Sequence, residues 1–169
     1  MLDEARLADL LRAMAGGDRA AASELYRLIG GRLYGFAQRI LRDPGLAEDA
    51  VQEGFLKIWK NAQRFDAARG APSAWMAVIV RRVAIDKRPK VVTQMLPELE
   101  APNFDLDYVH PRLRACLDEL PHLHRKALVL TYVYGLSHTE LAQAMDAPLG
   151  TVKSWVRRAT AALKEKLER

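Results

Sequence analysis

Apolar residues recur along this chain at intervals of three and four, which predicts helices nearly throughout. Leu7, Leu10, Leu11 and Met14 mark a first helix, stopped by Gly16-Gly17. Asp18 is placed as the N-cap of a long second helix reaching about Arg42. Its buried stripe is Leu25, Leu28, Ile29, Leu33, Phe36 and Ile40. Asp43-Pro44-Gly45 reads as a turn, and a third helix covers roughly Leu46 to Asn61. "QRFDAARGA" (63–71) has no apolar period and reads as a loop. A fourth helix starts near Pro72, a good first-turn residue, and ends by Pro89.

Beyond Pro89 the pattern fails. Pro97, Pro102 and Pro111 punctuate an acidic stretch without sustained periodicity, which predicts a flexible linker over 89–111. So long an aperiodic stretch marks a domain boundary. The predicted fold is all-α: two small helical domains, 1–88 and 112–169, on either side of that acidic linker.

Helical spacing resumes at Leu113, Cys116, Leu117 and Leu120, which makes Cys116 a small core residue. A helix from about His122 to Tyr134 ends at Gly135, a good left-handed cap. Ser137 and Glu140 then have the spacing of a capping box, with Leu136 able to staple to Leu141. That short helix runs to about Met145 and breaks at Asp146-Ala147-Pro148. On a wheel for "PLGTVKSWVRRATAALKEKL" (148–167), Val152, Val156, Ala159, Leu163 and Leu167 share one side. Lys153, Ser154, Arg157, Arg158 and Lys164 share the other, and Trp155 sits at the edge of the apolar face. A capped helix, a tight turn and a helix with a basic face form a helix-turn-helix pattern, whose second helix reads a major groove. A solvated basic face or a membrane-surface helix would show the same charges. The apolar side is needed for packing, and the capped partner helix favours DNA.

Charge agrees with a polyanionic partner. The chain carries 26 Lys+Arg against 21 Asp+Glu over 169 residues, a net charge of +5. The two predicted domains are each net basic, and the linker between them is net acidic. The single cysteine excludes an intramolecular disulfide and fits a reducing compartment. The N-terminal MLDEARLADL is acidic and unlike a secretory signal, and Ala74 to Ile85 is too short and too charged to span a bilayer. The expectation is a cytoplasmic protein.

Two stretches carry a more specific likeness. "EDAVQEGFLKIW" (48–59) with "FDAARGAPSAWMAVIVRRVAIDKR" (65–88) resembles the first conserved domain of bacterial sigma factors. "LDELPHLHRKALVLTYVYGLSHTELAQAMDAPLGTVKSWVRRA" (117–159) resembles their last domain. With no middle domains and a short acidic linker, the chain resembles the extracytoplasmic-function (ECF) group.

The resemblance implies a protein that lends promoter specificity to core RNA polymerase and helps open the DNA, with the clamp coiled coil and flap of polymerase as docking sites. Asp49, Gln52 and Glu53 would meet the clamp, with Phe55 and Trp59 as apolar anchors, although Phe55, Ile58 and Trp59 also suit a core. The loop 63–71 would capture an unstacked minus-ten base through Phe65, Asp66 and Arg69, with Arg81, Arg82 and Arg88 behind it for phosphates. Trp75 suits either a wedge at the duplex edge or a core position. Many family members have Ala-Arg-Asn where this chain has Val80-Arg81-Arg82, so the inherited base preference does not transfer directly. Minus-thirty-five contacts fall on Lys153, Ser154, Arg157 and Arg158, with Thr151 near a phosphate. Asp105 and Asp107 of the linker would occupy basic channel walls of the polymerase cleft, or the linker is a plain tether. The family also implies an anti-sigma factor, soluble or membrane-anchored, that hides these surfaces.

Catalytic chemistry is not expected. Cys116, His122 and His124 fall short of the four defined ligands of a structural zinc site, so neither a metal nor another cofactor is expected. No P-loop glycine pattern and no isolated carboxylate pair stands out, and no small-molecule substrate is expected. A stand-alone helix-turn-helix regulator is the alternative reading, but it has no evident need of residues 48–88. A helical adaptor for another protein is a third, in which the charge is incidental.

Overall fold

The computed structural model describes residues 3–89 and 111–168, and among them every regular element is helical. The chain divides into two compact units between Pro89 and Lys90. The acidic stretch with Asp105 and Asp107 lies outside the described residues.

Four helices build the first unit: α1 (Glu4–Ala15), α2 (Arg19–Leu41), α3 (Pro44–Asn61) and α4 (Pro72–Lys87). Each of the first three starts on an aspartate. Asp3, Asp18 and Asp43 accept hydrogen bonds from backbone N–H groups of the first turn that would otherwise lack a helical partner. Asp43-Pro44-Gly45 is therefore the start of α3 and not a separate turn, with Pro44 where its missing N–H costs nothing. Leu7, Leu11, Met14, Leu25, Ile29, Leu33, Ile40, Ile58 and Met76 are essentially sealed from solvent and form one core. Leu28 departs from its expected stripe and is exposed. Two short 3-10 turns, Ala62–Arg64 and Ala67–Arg69, organise the stretch expected as a loop.

Helices α5 (Pro111–Asp118), α6 (His122–Tyr132), α7 (His138–Ala144) and α8 (Leu149–Glu168) make the second unit. Helix α6 stops two residues earlier than expected, and Gly135 takes the left-handed conformation (φ 70°) that lets the chain turn back toward α7. One apolar cluster holds Leu117, Leu120, Leu128, Val129 and Ala159. A second joins α6, α7 and α8 through Leu130, Leu136, Leu141, Val152 and Val156. Cys116 is a buried free thiol. Leu167, expected on the buried side of α8, is exposed near the helix end.

Candidate nucleic-acid interface

In the first unit, residues 49, 52, 53 and 56 share one side of α3, since positions three and four apart lie above one another. Asp49 and Gln52 are exposed there, and Glu53 is half-buried. The Glu53 carboxylate meets Lys57 Nζ at 2.8 Å and Lys87 Nζ at 3.0 Å, which ties α3 to the end of α4. Those two hydrogen bonds, Lys57 first, hold its pKa below the ordinary value of 4.5.

Of the two aromatic anchors expected beside this face, Phe55 is turned inward and Trp59 is partly open. Phe55 is buried, its ring edge-on to Tyr26 with centroids 5.0 Å apart, because α3 turns it toward α2. Trp59 is half-buried against the same core. The exposed apolar residue is Leu56, with 58% of its surface open, which sequence reasoning missed. Its spacing of seven from Asp49 and four from Gln52 was the available signal.

The 63–71 segment has a fixed end and an open end. Phe65 is half-buried and tilts against Trp75, with ring centroids 5.5 Å apart, and both pack on the core. Trp75 thus combines a core contact with partial exposure. Asp66 is exposed and accepts a hydrogen bond from the Ala68 N–H at 2.9 Å, so its carboxylate also shapes the loop. Arg69 is exposed at the tip. On α4, Arg82 is exposed, while Arg81 and Arg88 are half-buried. Val78, one turn from both Trp75 and Arg82, is 65% exposed, another surface residue that the sequence did not single out.

In the second unit the capping box is complete. The Glu140 N–H donates to Ser137 Oγ at 3.2 Å, and the Ser137 N–H donates to Glu140 Oε2 at 2.7 Å. Asp146, in a left-handed conformation (φ 45°), follows α7 and starts the turn into α8. Val152, Val156 and Ala159 bury one face of α8, and Trp155 packs half-buried against α7's cluster. Lys153, Arg157 and Arg158 stand exposed on the other face, and Ser154 is half-buried beside them. Thr151 is half-buried, and its N–H donates to the Pro148 carbonyl at 2.9 Å, so a phosphate there would meet its side chain and not that N–H. Lys166 is held apart from the basic face by an ion pair with Glu119. Arg125 and Asp118, 2.8 Å apart, join α6 to the end of α5.

His122, His124 and Cys116 do not gather. Among the described residues no group of three or more His, Cys, Asp or Glu is placed to hold a metal ion. No helix among them is long and apolar enough to cross a membrane.

Residues 25–90 match the family Sigma-70 region 2, and residues 110–163 match Sigma-70, region 4. The chain is 34% identical to the ECF RNA polymerase sigma factor SigK of Mycobacterium bovis, over 94% of this chain and 92% of that one. The SigK of Mycobacterium ulcerans shows the same identity and coverage. Among solved structures, Rhodobacter sphaeroides SigE in complex with the anti-sigma ChrR superposes with a TM-score of 0.52 at 23% identity, covering 97% of this chain and 99% of that one, a likeness of fold.

Proposed function

This chain belongs to the extracytoplasmic-function group of the sigma-70 family, and from that premise we propose how its surfaces divide the work of initiation. The protein binds core RNA polymerase and directs promoter-specific transcription initiation. It is an initiation factor and not an enzyme, since polymerase itself joins the nucleotides. It works in the cytoplasm, with the polymerase and the chromosome.

The first unit docks on the polymerase clamp coiled coil through Asp49, Gln52 and Glu53 of α3. Leu56 replaces Phe55 as the apolar centre of that surface. The loop that follows captures an unpaired minus-ten base between the Phe65 ring and the polar groups of Asp66 and Arg69. Arg81, Arg82 and Arg88 of α4 take phosphates, and Trp75 abuts the edge of the remaining duplex. The second unit docks near the polymerase flap and lays α8 in the minus-thirty-five major groove. There Arg157 and Arg158 can bond guanine edges, and Lys153, Ser154 and Thr151 take phosphates or bases. Residues 89–111 span the two units, with Asp105 and Asp107 suited to basic channel walls. An anti-sigma factor, soluble or membrane-anchored, is the fitting regulator.

One observation carries this reading: Lys153, Arg157 and Arg158 are exposed on α8, turned away from its buried Val152, Val156 and Ala159. Run-off transcription with purified core polymerase tests it, using a pool of templates randomised over both promoter elements. A sequence-selected transcript should require the protein, lose minus-thirty-five selection in Arg157→Ala/Arg158→Ala, and weaken at all sequences in Asp49→Ala/Gln52→Ala. DNA binding without polymerase, and no transcript with it, would indicate a stand-alone regulator instead.

A further inference from the structure

Helix α1 lies before the Sigma-70 region 2 match, which begins at residue 25. It nevertheless touches the start of the loop assigned to the minus-ten base and the first turn of α4, which follows that loop. At its start, Glu4 accepts two hydrogen bonds from Ser73, one from the N–H at 3.1 Å and one from the hydroxyl at 2.5 Å. At its end, the Ala15 carbonyl accepts a longer one, 3.4 Å, from the Gln63 side-chain amide.

The first contact supplies something α4 lacks. Its N-cap residue, Ala71, has no side chain that can accept a hydrogen bond, and Pro72 follows it. Glu4, from 69 residues away in sequence, provides the missing acceptor and places negative charge at the positive end of the helix. Helix α1 is itself well anchored. Asp3 caps it, Leu7, Leu10, Leu11 and Met14 are buried, and the Arg6 guanidinium grips both Glu24 oxygens at 2.8 and 3.0 Å.

We propose that α1 is a strut for the base-capturing loop, with Glu4 as a positioning residue that sets promoter selectivity without touching DNA. The proposal rests on the assignment of residues 63–71 to the minus-ten element. Phe65 packs on the core, whereas Asp66 and Arg69 are exposed. An unpaired base is read sharply only if the groups that meet it are already in place, because a loop that must order around the correct base, and stays loose around a wrong one, loses that ordering cost from the difference between them. Losing the Glu4 contact frees the first turn of α4 and, with it, the last residues of the loop.

The test is run-off transcription from templates randomised at the minus-ten element, with core polymerase and wild type, Glu4→Ala, Glu4→Gln or Ser73→Ala protein. Phe65→Ala and Asp66→Ala report on the loop itself. Glu4→Ala should flatten the base preference at the melted positions roughly two- to thirtyfold, the span expected when a helix N-cap is lost. Ser73→Ala should do the same, the double variant should be no worse than either, and Glu4→Gln should recover part of the preference through its amide oxygen. Affinity for core polymerase should stay at the wild-type level. A uniform drop in yield with unchanged preference would mean a merely structural contact and overturn the proposal. So would loop variants that alter the preference while Glu4→Ala does not. If the loop variants leave preference intact, the loop assignment itself fails, and the strut falls with it.

Discussion

Gly54 of α3 lies directly against Val80 of α4: a Cβ at residue 54 would stand 2.7 Å from Val80 Cγ2 and 3.2 Å from its Cα. The two helices that carry the proposed clamp surface and the proposed minus-ten phosphate contacts can therefore approach this closely at residue 54 because it has no side chain. Val80 is fully buried, so it has nowhere to retreat. Gly54→Ala should destabilise the first unit by ~1–2 kcal/mol, overpacking outweighing the better helix propensity of alanine. A thermal melt measures this, and Val80→Ala added to Gly54→Ala should recover much of the loss.

Phe55 and Leu56 should separate stability from docking. Phe55→Ala removes a buried ring and should cost roughly 3–5 kcal/mol. Leu56→Ala, at an exposed position, should leave the unfolding free energy within about 0.5 kcal/mol of wild type yet weaken affinity for core polymerase. Equal losses of polymerase affinity per folded molecule would return the anchoring role to Phe55.

Glu53 should make the α3–α4 tie sensitive to acid. Its pKa is lowered in the folded protein, so its contribution is present above the ordinary value of 4.5 and is lost as pH falls through the lowered pKa. Carboxyl NMR titration should show Lys57→Ala and Lys87→Ala each moving this pKa upward. The half-buried carboxylate is still partly open to solvent, so salt should shrink the shift.

Ser137→Ala should destabilise the second unit by about 1 kcal/mol, because the Glu140 N–H loses its acceptor at the start of α7. Glu140→Ala, which removes the return bond from the Ser137 N–H, should destabilise the same helix start. Chemical denaturation of the two variants measures both losses.

Promoter binding by the polymerase holoenzyme should lose about one unit of salt slope for each phosphate contact removed. Lys153→Ala should reduce that slope and weaken all sequences alike. Arg157→Ala or Arg158→Ala should instead relax base preference at the minus-thirty-five element, at ~1–3 kcal/mol per bidentate pair. Filter binding over a range of salt concentrations distinguishes the two behaviours.

Local rules carried much of this protein. The capping aspartates, the Ser137–Glu140 box, the left-handed Gly135 and the two faces of α8 are each set by residues within a few positions of one another. Helix period and cap chemistry act over that range, so the sequence by itself determined the helical class, the helix-turn-helix and the outward turn of Lys153, Arg157 and Arg158. Tertiary structure decided what depends on a distant neighbour. The packing of α2 took Phe55 into the core beneath Tyr26 and left Leu56 outside. Gly54 acquired its role from Val80 on another helix, and α4 acquired its cap from Glu4 at the far end of the unit. Those pairings join residues 26 to 69 positions apart, and a wheel drawn for one helix has no term for what packs against it.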